Sequence, residues 1–251
     1  MLKTLEEVFE LGTIETGSNG ERIKLHSNTS IEQCLFLQGL YDEIKPKRSL
    51  EVGFAYGIST LFILEKCRQY NNDSKCHIVI EPFDWGNAAI HNISKEGLQN
   101  YIDIRKDRSD VVLPSMYLNN ERIQFAYIDT TKVFDTVLQD FYFIDKIMDT
   151  GGVIIFDDCG GAWPGVQKVV RLISTLPHYK VLSGHEKIKP TFKKALAEKI
   201  ISSVIKLVPF KKRFYPSYNF KTDGELGLNY SCVAFQKVSS DARQWDWDKP
   251  F

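Results

Sequence analysis

A membrane-spanning run is the first thing this sequence lacks: no apolar stretch approaches the roughly 20 residues that cross a bilayer. The opening residues, MLKTLEEVFEL, carry acids where a secretory leader needs a basic end and an apolar core. A soluble protein without a leader is the expectation. Paired cysteines are missing as well. The five cysteines, Cys34, Cys67, Cys76, Cys159 and Cys232, are scattered and contain no Cys-x-x-Cys, which argues against a disulfide framework and a thiolate zinc site. Thiols kept reduced in the cytoplasm are the simpler reading. An excess of charge of one sign is also absent, since 32 Lys and Arg balance 32 Asp and Glu. No global field draws the chain toward nucleic acid, and no nucleic-acid partner is expected. Repeats and low-complexity tracts are lacking too.

What is present is an alternation of short apolar runs with amphipathic stretches. At 251 residues the chain can build one sizeable α/β core with about forty residues to spare. Thr29 or Ser30 fits an N-cap, with Gln33 three residues after Ser30. The helix it opens runs to about Ile44, with Leu35, Leu37, Leu40 and Tyr41 available for burial. Strands are expected at SLEVG, CHIVIE, YIDIR, IQFAYID, GGVIIFDD, Tyr179 to Leu182 and YSCVAFQK. Helices are expected between them: Gly57 to Tyr70, Trp85 to Leu98, Ser109 to Leu118, Val133 to Met148, and PGVQKVVRLIS with Pro164 in its first turn. Strands buried on both faces and alternating with helices predict an α/β fold, a doubly wound, mostly parallel seven-stranded sheet covered on both sides. The single domain divides into an N-terminal extension (1–28), a core (29–182 and 229–238) and a helical lid or insertion (183–228).

The acids fall where such a sheet binds ligands, at the carboxyl ends of its strands. Glu81, Asp129, Asp157 and Asp158 close strands, and Glu51 lies beside the first turn. The turn itself reads Glu51-x-Gly53-x-x-x-Gly57-x-Ser59-Thr60. Its glycines allow a tight bend and close approach of a ligand. The spacing is not the Gly-x-Gly-x-x-Gly of dinucleotide sites, and an acid before the turn suits a cationic ligand better than a diphosphate. Glu81 is placed to grip both hydroxyls of a ribose. Asp107, Arg108 and Ser109 form a corner that either reaches an adenine edge or caps the following helix through Asp107 or Ser109. Asp129, Asp157 and Asp158 offer hard oxygen ligands for magnesium or calcium. Lys132, three residues beyond Asp129, would face the same pocket, and a bound dication would lower its pKa toward that of a general base. A solvated lysine and a capping Asp pair are the bland alternatives.

Together these residues resemble a known family. SLEVGFAYGIST is similar to the first motif of the catechol-type and caffeoyl-coenzyme-A-type O-methyltransferases, class I enzymes that use S-adenosylmethionine. Asp129-x-x-Lys132 resembles their metal aspartate and catalytic lysine, Asp157-Asp158 stands where they carry Asp-Asn, and Pro164-Gly165 matches a Pro-Gly downstream. The stretch IEQCLFLQGLYDEIKPKRSLEVG also looks like their entry helix and first strand. The Asp-Asp ending, the Trp163 to Val166 run and the Asp107-x-Ser109 corner are similar to a bacterial group that methylates sugars and natural products. The likeness covers about residues 29–182 and 228–237. It implies a Rossmann-like sheet with an antiparallel last strand. Glu51, Gly53, Gly57 and Ser59 would hold the methionine part of the cofactor, Glu81 the ribose, and Asp107, Arg108 and Ser109 the adenine. Asp129 would touch the cofactor as well as a metal shared with Asp157 and Asp158, and Lys132 would deprotonate a small-molecule hydroxyl. Two departures stand out: Asp158 replaces an amide, and Lys132 stands where many bacterial relatives have histidine.

Residues 183–228 fall outside this pattern. Thr191 to Val208 predicts an amphipathic helix with Leu196, Ile200, Ile201, Val204 and Ile205 on one side, read as a lid over the crevice or a contact with a second copy in a homodimer. Its lysines and the Lys211-Lys212-Arg213 run would also suit anionic lipid, though membrane contact is not the expectation. Three readings compete: a metal-assisted O-methyltransferase acting on a sugar, phenol or natural-product hydroxyl, a metal-independent methyltransferase or nicotinamide enzyme on a similar sheet, and a cofactor-binding fold used as an interaction protein.

Overall fold

The computed structural model describes every residue except 18, 27–28, 72–74, 84–86, 161, 190–195, 197–199, 201–203, 205–220 and 245–251. Seven strands form the central sheet: β3 (Ser49–Val52), β4 (His77–Ile80), β5 (Ile102–Arg105), β6 (Ile123–Ile128), β7 (Met148–Phe156), β8 (Tyr179–Lys187) and β9 (Tyr230–Lys237). Their order is β5-β4-β3-β6-β7-β9-β8. The first five run parallel, and β9 lies antiparallel to both β7 and β8. Chain order moves outward from β3 to β5, then returns to β6 on the other side of β3. That reversal opens a crevice between the ends of β3 and β6.

Strand periodicity divides the core in two. Along β6, Phe125 and Tyr127 face a cluster with Leu37, Tyr41, Leu61 and Phe62, supplied by α2 (Ile31–Ile44) and α3 (Ile58–Tyr70). Ala126 and Ile128 face the opposite cluster with Leu113, Ile144, Val169 and Val170, supplied by α5 (Ser109–Leu118), α6 (Phe134–Ile147) and α7 (Pro164–Ile173). A period of two on strands buried on both faces produces this arrangement. The Ser30 hydroxyl accepts from the Gln33 N–H at 3.2 Å and caps α2. Leu35 was expected to be buried and is instead 54% exposed, on the outer side of α2.

Several elements depart from expectation. The N-terminal extension has regular structure of its own: after α1 (Lys3–Leu11) come β1 (Thr13–Glu15) and β2 (Arg22–Lys24), paired antiparallel. Leu5, Val8 and Ile14 enter the α2–α3 core. Three-residue strands are too short for alternation to stand out. The helix expected from Trp85 is the shorter α4 (Ala88–Lys95), with Trp85 outside the described residues. Strand β8 continues past Leu182 to Lys187 across a register shift between Val181 and Ser183. The final short helix, α8 (Asp223–Leu226), opens with a capping box made by Thr222 and Glu225. Beyond β8, the Ile188 N–H donates to the Asn229 carbonyl at 2.8 Å, so the ends of the intervening chain meet. Of the expected 191–208 helix only Leu196, Ile200 and Val204 are described. All three are helical and exposed; Ile201, Ile205 and the 211–213 basic run lie outside the described residues. No helix among the described residues is long and apolar enough to cross a membrane.

Candidate active site

A cavity of about 1090 Å³ lies at the carboxyl ends of β3, β4, β6 and β7, larger than a pocket for a single drug-sized ligand. Its floor is the turn after β3. Gly53 adopts φ 97°, and a Cβ there would lie 2.0 Å from the Asp129 carbonyl oxygen, so only glycine permits this approach. Gly57 also has positive φ (74°) and abuts the Ala89 side chain, where a Cβ would sit at 2.8 Å. Ala55, Lys132, Asp158 and Glu186 are cavity-lining residues held at positive φ without being glycine. Such backbone costs of order 1–3 kcal/mol per residue and tends to gather at functional sites.

Glu51 is not on the cavity wall. Its carboxylate is fully buried and accepts from the Ser59 hydroxyl, from the Thr60 hydroxyl at 2.6 Å, and faces His77 Nε2 at 3.1 Å. His77 Nδ1 in turn meets the Ser49 hydroxyl at 2.9 Å. The acid therefore ties the start of α3 to β3 and β4 beneath the turn, while Gly53, Gly57 and Ser59 line the cavity. Glu81, just past β4, does line it and is 7% exposed. One of its oxygens accepts from the Phe54 and Ala55 N–H groups at 3.0 and 3.3 Å, and the other from the Phe83 N–H at 3.0 Å. This carboxylate is clamped to the glycine turn by the backbone. Phe54 and Phe83 are aromatic neighbours that motif spacing did not single out.

At the corner before α5, neither Asp107 nor Ser109 is the N-cap. Arg108 is the N-cap and makes no side-chain cap bond. Its guanidinium pairs with Asp110, and the exposed Asp107 carboxylate accepts the Arg108 N–H at 2.7 Å. Arg108 and Ser109 reach the cavity, whereas Asp107 is not part of its lining.

Asp129 follows β6 and Asp157 and Asp158 follow β7, so two adjacent strand ends bring three carboxylates together. One oxygen from each lies within 4.8 Å of the others. Burial, reinforced by the Asp157 charge, lifts the Asp129 carboxyl to about 6, while Lys132 opposes the rise. Burial also raises Asp157. Lys132 Nζ donates to Asp129 and, at 2.7 Å, to Asp158. Burial alone would depress the Lys132 pKa, but these two carboxylates outweigh it and hold the ammonium above its ordinary value. The fall expected for Lys132 belongs to a site with a bound dication; where the carboxylates face the lysine directly, they hold its proton. Gly165 sits under this group: a Cβ there would lie 2.3 Å from the Lys132 carbonyl oxygen, which explains the Pro-Gly opening of α7. Sequence spacing missed Tyr127, whose hydroxyl donates to Asp157 Oδ2 at 2.8 Å, and Gln33, which reaches that hydroxyl from α2.

The donor chemistry fits a hard divalent cation, with three partly open carboxylates whose mutual repulsion a cation would relieve. Comparison with known proteins agrees with the fold. The family described as "Methyltransferase domain" matches residues 50–159. Among solved structures, an O-methyltransferase from Bacillus cereus in complex with SAH is 22% identical, with TM-score 0.57 over 71% of this chain and 82% of that one. The O-methyltransferase TomG from Streptomyces achromogenes, involved in tomaymycin synthesis and solved with SAM, is 13% identical, with TM-score 0.59 over 84% and 82%. The SAH-bound methyltransferase PaMTH1 from Podospora anserina is 17% identical, with TM-score 0.57 over 76% and 85%. No curated protein matches the chain. Residues 50–159 match the methyltransferase-domain family, and the chain shares the fold of these solved methyltransferases.

Proposed function

We propose that this protein transfers the methyl group of S-adenosylmethionine to a hydroxyl of a small molecule, with a divalent cation, magnesium by its hard-oxygen donor set, held by Asp129, Asp157 and Asp158. The observation that carries the reading is the placement of those three carboxylates and Lys132 directly beside the glycine turn, around one cavity. The sulfonium cofactor supplies a methyl group that is already activated, and the cation would supply Lewis-acid polarisation of the acceptor oxygen. The chain's own task is alignment and proton removal. Glu81 is positioned for the ribose, and Arg108 and Ser109 for the adenine side. The Gly53 to Ser59 turn takes the methionine end, with Glu51 acting from beneath by fixing Ser59 rather than by contact. Lys132 Nζ is the group within reach to take the acceptor's proton. Its present partners, Asp129 and Asp158, hold its own proton in place; once those carboxylates are engaged elsewhere, that hold is lost.

Sugar, phenol and natural-product hydroxyls are all open as acceptors. The test is calorimetric titration of S-adenosylmethionine and S-adenosylhomocysteine, with and without magnesium, against wild type, Glu81→Ala and Asp129→Ala with Asp157→Ala. Micromolar binding that Glu81→Ala weakens supports the cofactor assignment. A magnesium effect that disappears in the double variant supports the cation site. Binding of neither ligand would favour a fold retained for interaction.

A further inference from the structure

Behind the three carboxylates lies a buried polar chain that reaches a different element. Gln33 Nε2 donates to the Tyr127 hydroxyl at 3.0 Å, and that hydroxyl donates to Asp157 Oδ2 at 2.8 Å. Tyr127 is fully buried and Gln33 is 8% exposed. The direction of the chain follows from the donor inventory. An amide NH₂ can only donate, so Gln33 occupies a lone pair of the phenol and leaves its single proton for Asp157. The other oxygen of Asp157 accepts the Asp158 N–H at 2.8 Å. Both oxygens are thereby fixed in direction, and the carboxylate cannot rotate without breaking one of these part-buried hydrogen bonds. Gln33 sits in the first turn of α2, capped by Ser30, and itself lines the cavity, as does Thr29 beside it.

We propose that Tyr127 and Gln33 are positioning residues for the cation site: the phenol fixes Asp157, and Gln33 fixes the phenol proton. This inference rests on the cation reading of Asp129, Asp157 and Asp158. Partners behind a ligand commonly govern affinity by about 10–100-fold. The arrangement also ties the first turn of α2, which lines the cavity, to the orientation of the Asp157 carboxylate.

The experiment is a Mn²⁺ titration followed by electron paramagnetic resonance, without acceptor, on wild type, Tyr127→Phe and Gln33→Met, with S-adenosylhomocysteine affinity and thermal midpoint measured alongside. The expected result is Mn²⁺ binding by wild type that weakens about 10–100-fold in Tyr127→Phe and by a smaller factor in Gln33→Met, with S-adenosylhomocysteine affinity unchanged in both. Wild-type Mn²⁺ affinity in Tyr127→Phe would overturn the positioning role and leave the cation site standing. Equal losses of Mn²⁺ and S-adenosylhomocysteine binding would mean a general structural lesion and also overturn it. Should Tyr127→Phe fail to fold, Gln33→Met decides alone, and unchanged Mn²⁺ affinity there overturns the proposal. No Mn²⁺ binding by wild type would remove the cation reading and this inference together.

Discussion

Among single residues, the acids show what a linear sequence carries and what it conceals. Glu81, Asp129, Asp157 and Asp158 were legible because strand ends can be read from apolar runs, and a residue just past such an end faces the ligand crevice. Glu51 looked like one more of them, yet it is buried against Ser59, Thr60 and His77. Two of those partners lie within nine residues, but spacing does not say that their hydroxyls turn back toward the strand. Glu51→Ala should therefore behave as a stability mutant, costing about 3 kcal/mol because charge-assisted bonds are lost and buried hydroxyls are left unpaired, as read by urea unfolding. Lys132→Met should abolish turnover with S-adenosylhomocysteine affinity nearly unchanged; equal activity would remove it as the base. Gly53→Ala is expected to be more severe than an ordinary glycine replacement, since the new Cβ would collide with the Asp129 backbone 2.0 Å away. It should abolish cofactor binding in the same titration.

Elements were read well where they were long and periodic. The run YSCVAFQK is β9 to the residue, and Ser109 to Leu118 is α5. The β1–β2 hairpin escaped because three residues per strand give no usable period, and β8 was read short because its register shift breaks alternation after Val181. Helix α6 adds a feature that its pattern hides. Asp140 is fully buried, and among the described residues neither of its oxygens meets a hydrogen bond of regular geometry. Burial raises its carboxyl to about 6, only partly offset by the nearby Ser109 hydroxyl. A carboxyl raised on folding binds its proton more tightly in the native state, so stability falls as pH rises from about 4 to 6 and the penalty persists above that. Compared with Asp140→Asn, wild type should gain about 1–3 kcal/mol in relative stability between pH 7.5 and pH 4, measured by parallel denaturant melts. A constant difference across that range would refute the assignment.

For the whole molecule, the strand alternation specified the doubly wound sheet, and the crossover at β3 and β6 located the crevice before any side chain was placed. What alternation could not specify is depth: which side chains at the crevice face its interior and which brace it from behind, as Tyr127 does through Gln33. That distinction depends on packing between α2 and β6, elements some ninety residues apart in sequence, as the 94-residue separation of Gln33 and Tyr127 shows. Ligand linkage tests the molecule as a unit. A hundredfold excess of S-adenosylhomocysteine over its dissociation constant should add about 2.7 kcal/mol to folding stability, visible as a raised thermal midpoint that Glu81→Ala diminishes.

The Ile188–Asn229 hydrogen bond has an architectural consequence. Strand β8 ends and β9 begins at the cavity rim, where Glu186 and Ser231 contribute to the wall. The forty residues between 188 and 229 thus leave and re-enter the sheet at one stitched point. Such a stretch can be lengthened, shortened or replaced with little disturbance to the strands below, since closing a longer loop adds only a small entropic cost. The described end of that stretch is also held by α7: Asp223 pairs with Arg171, whose guanidinium donates to the Lys221 carbonyl at 2.7 Å.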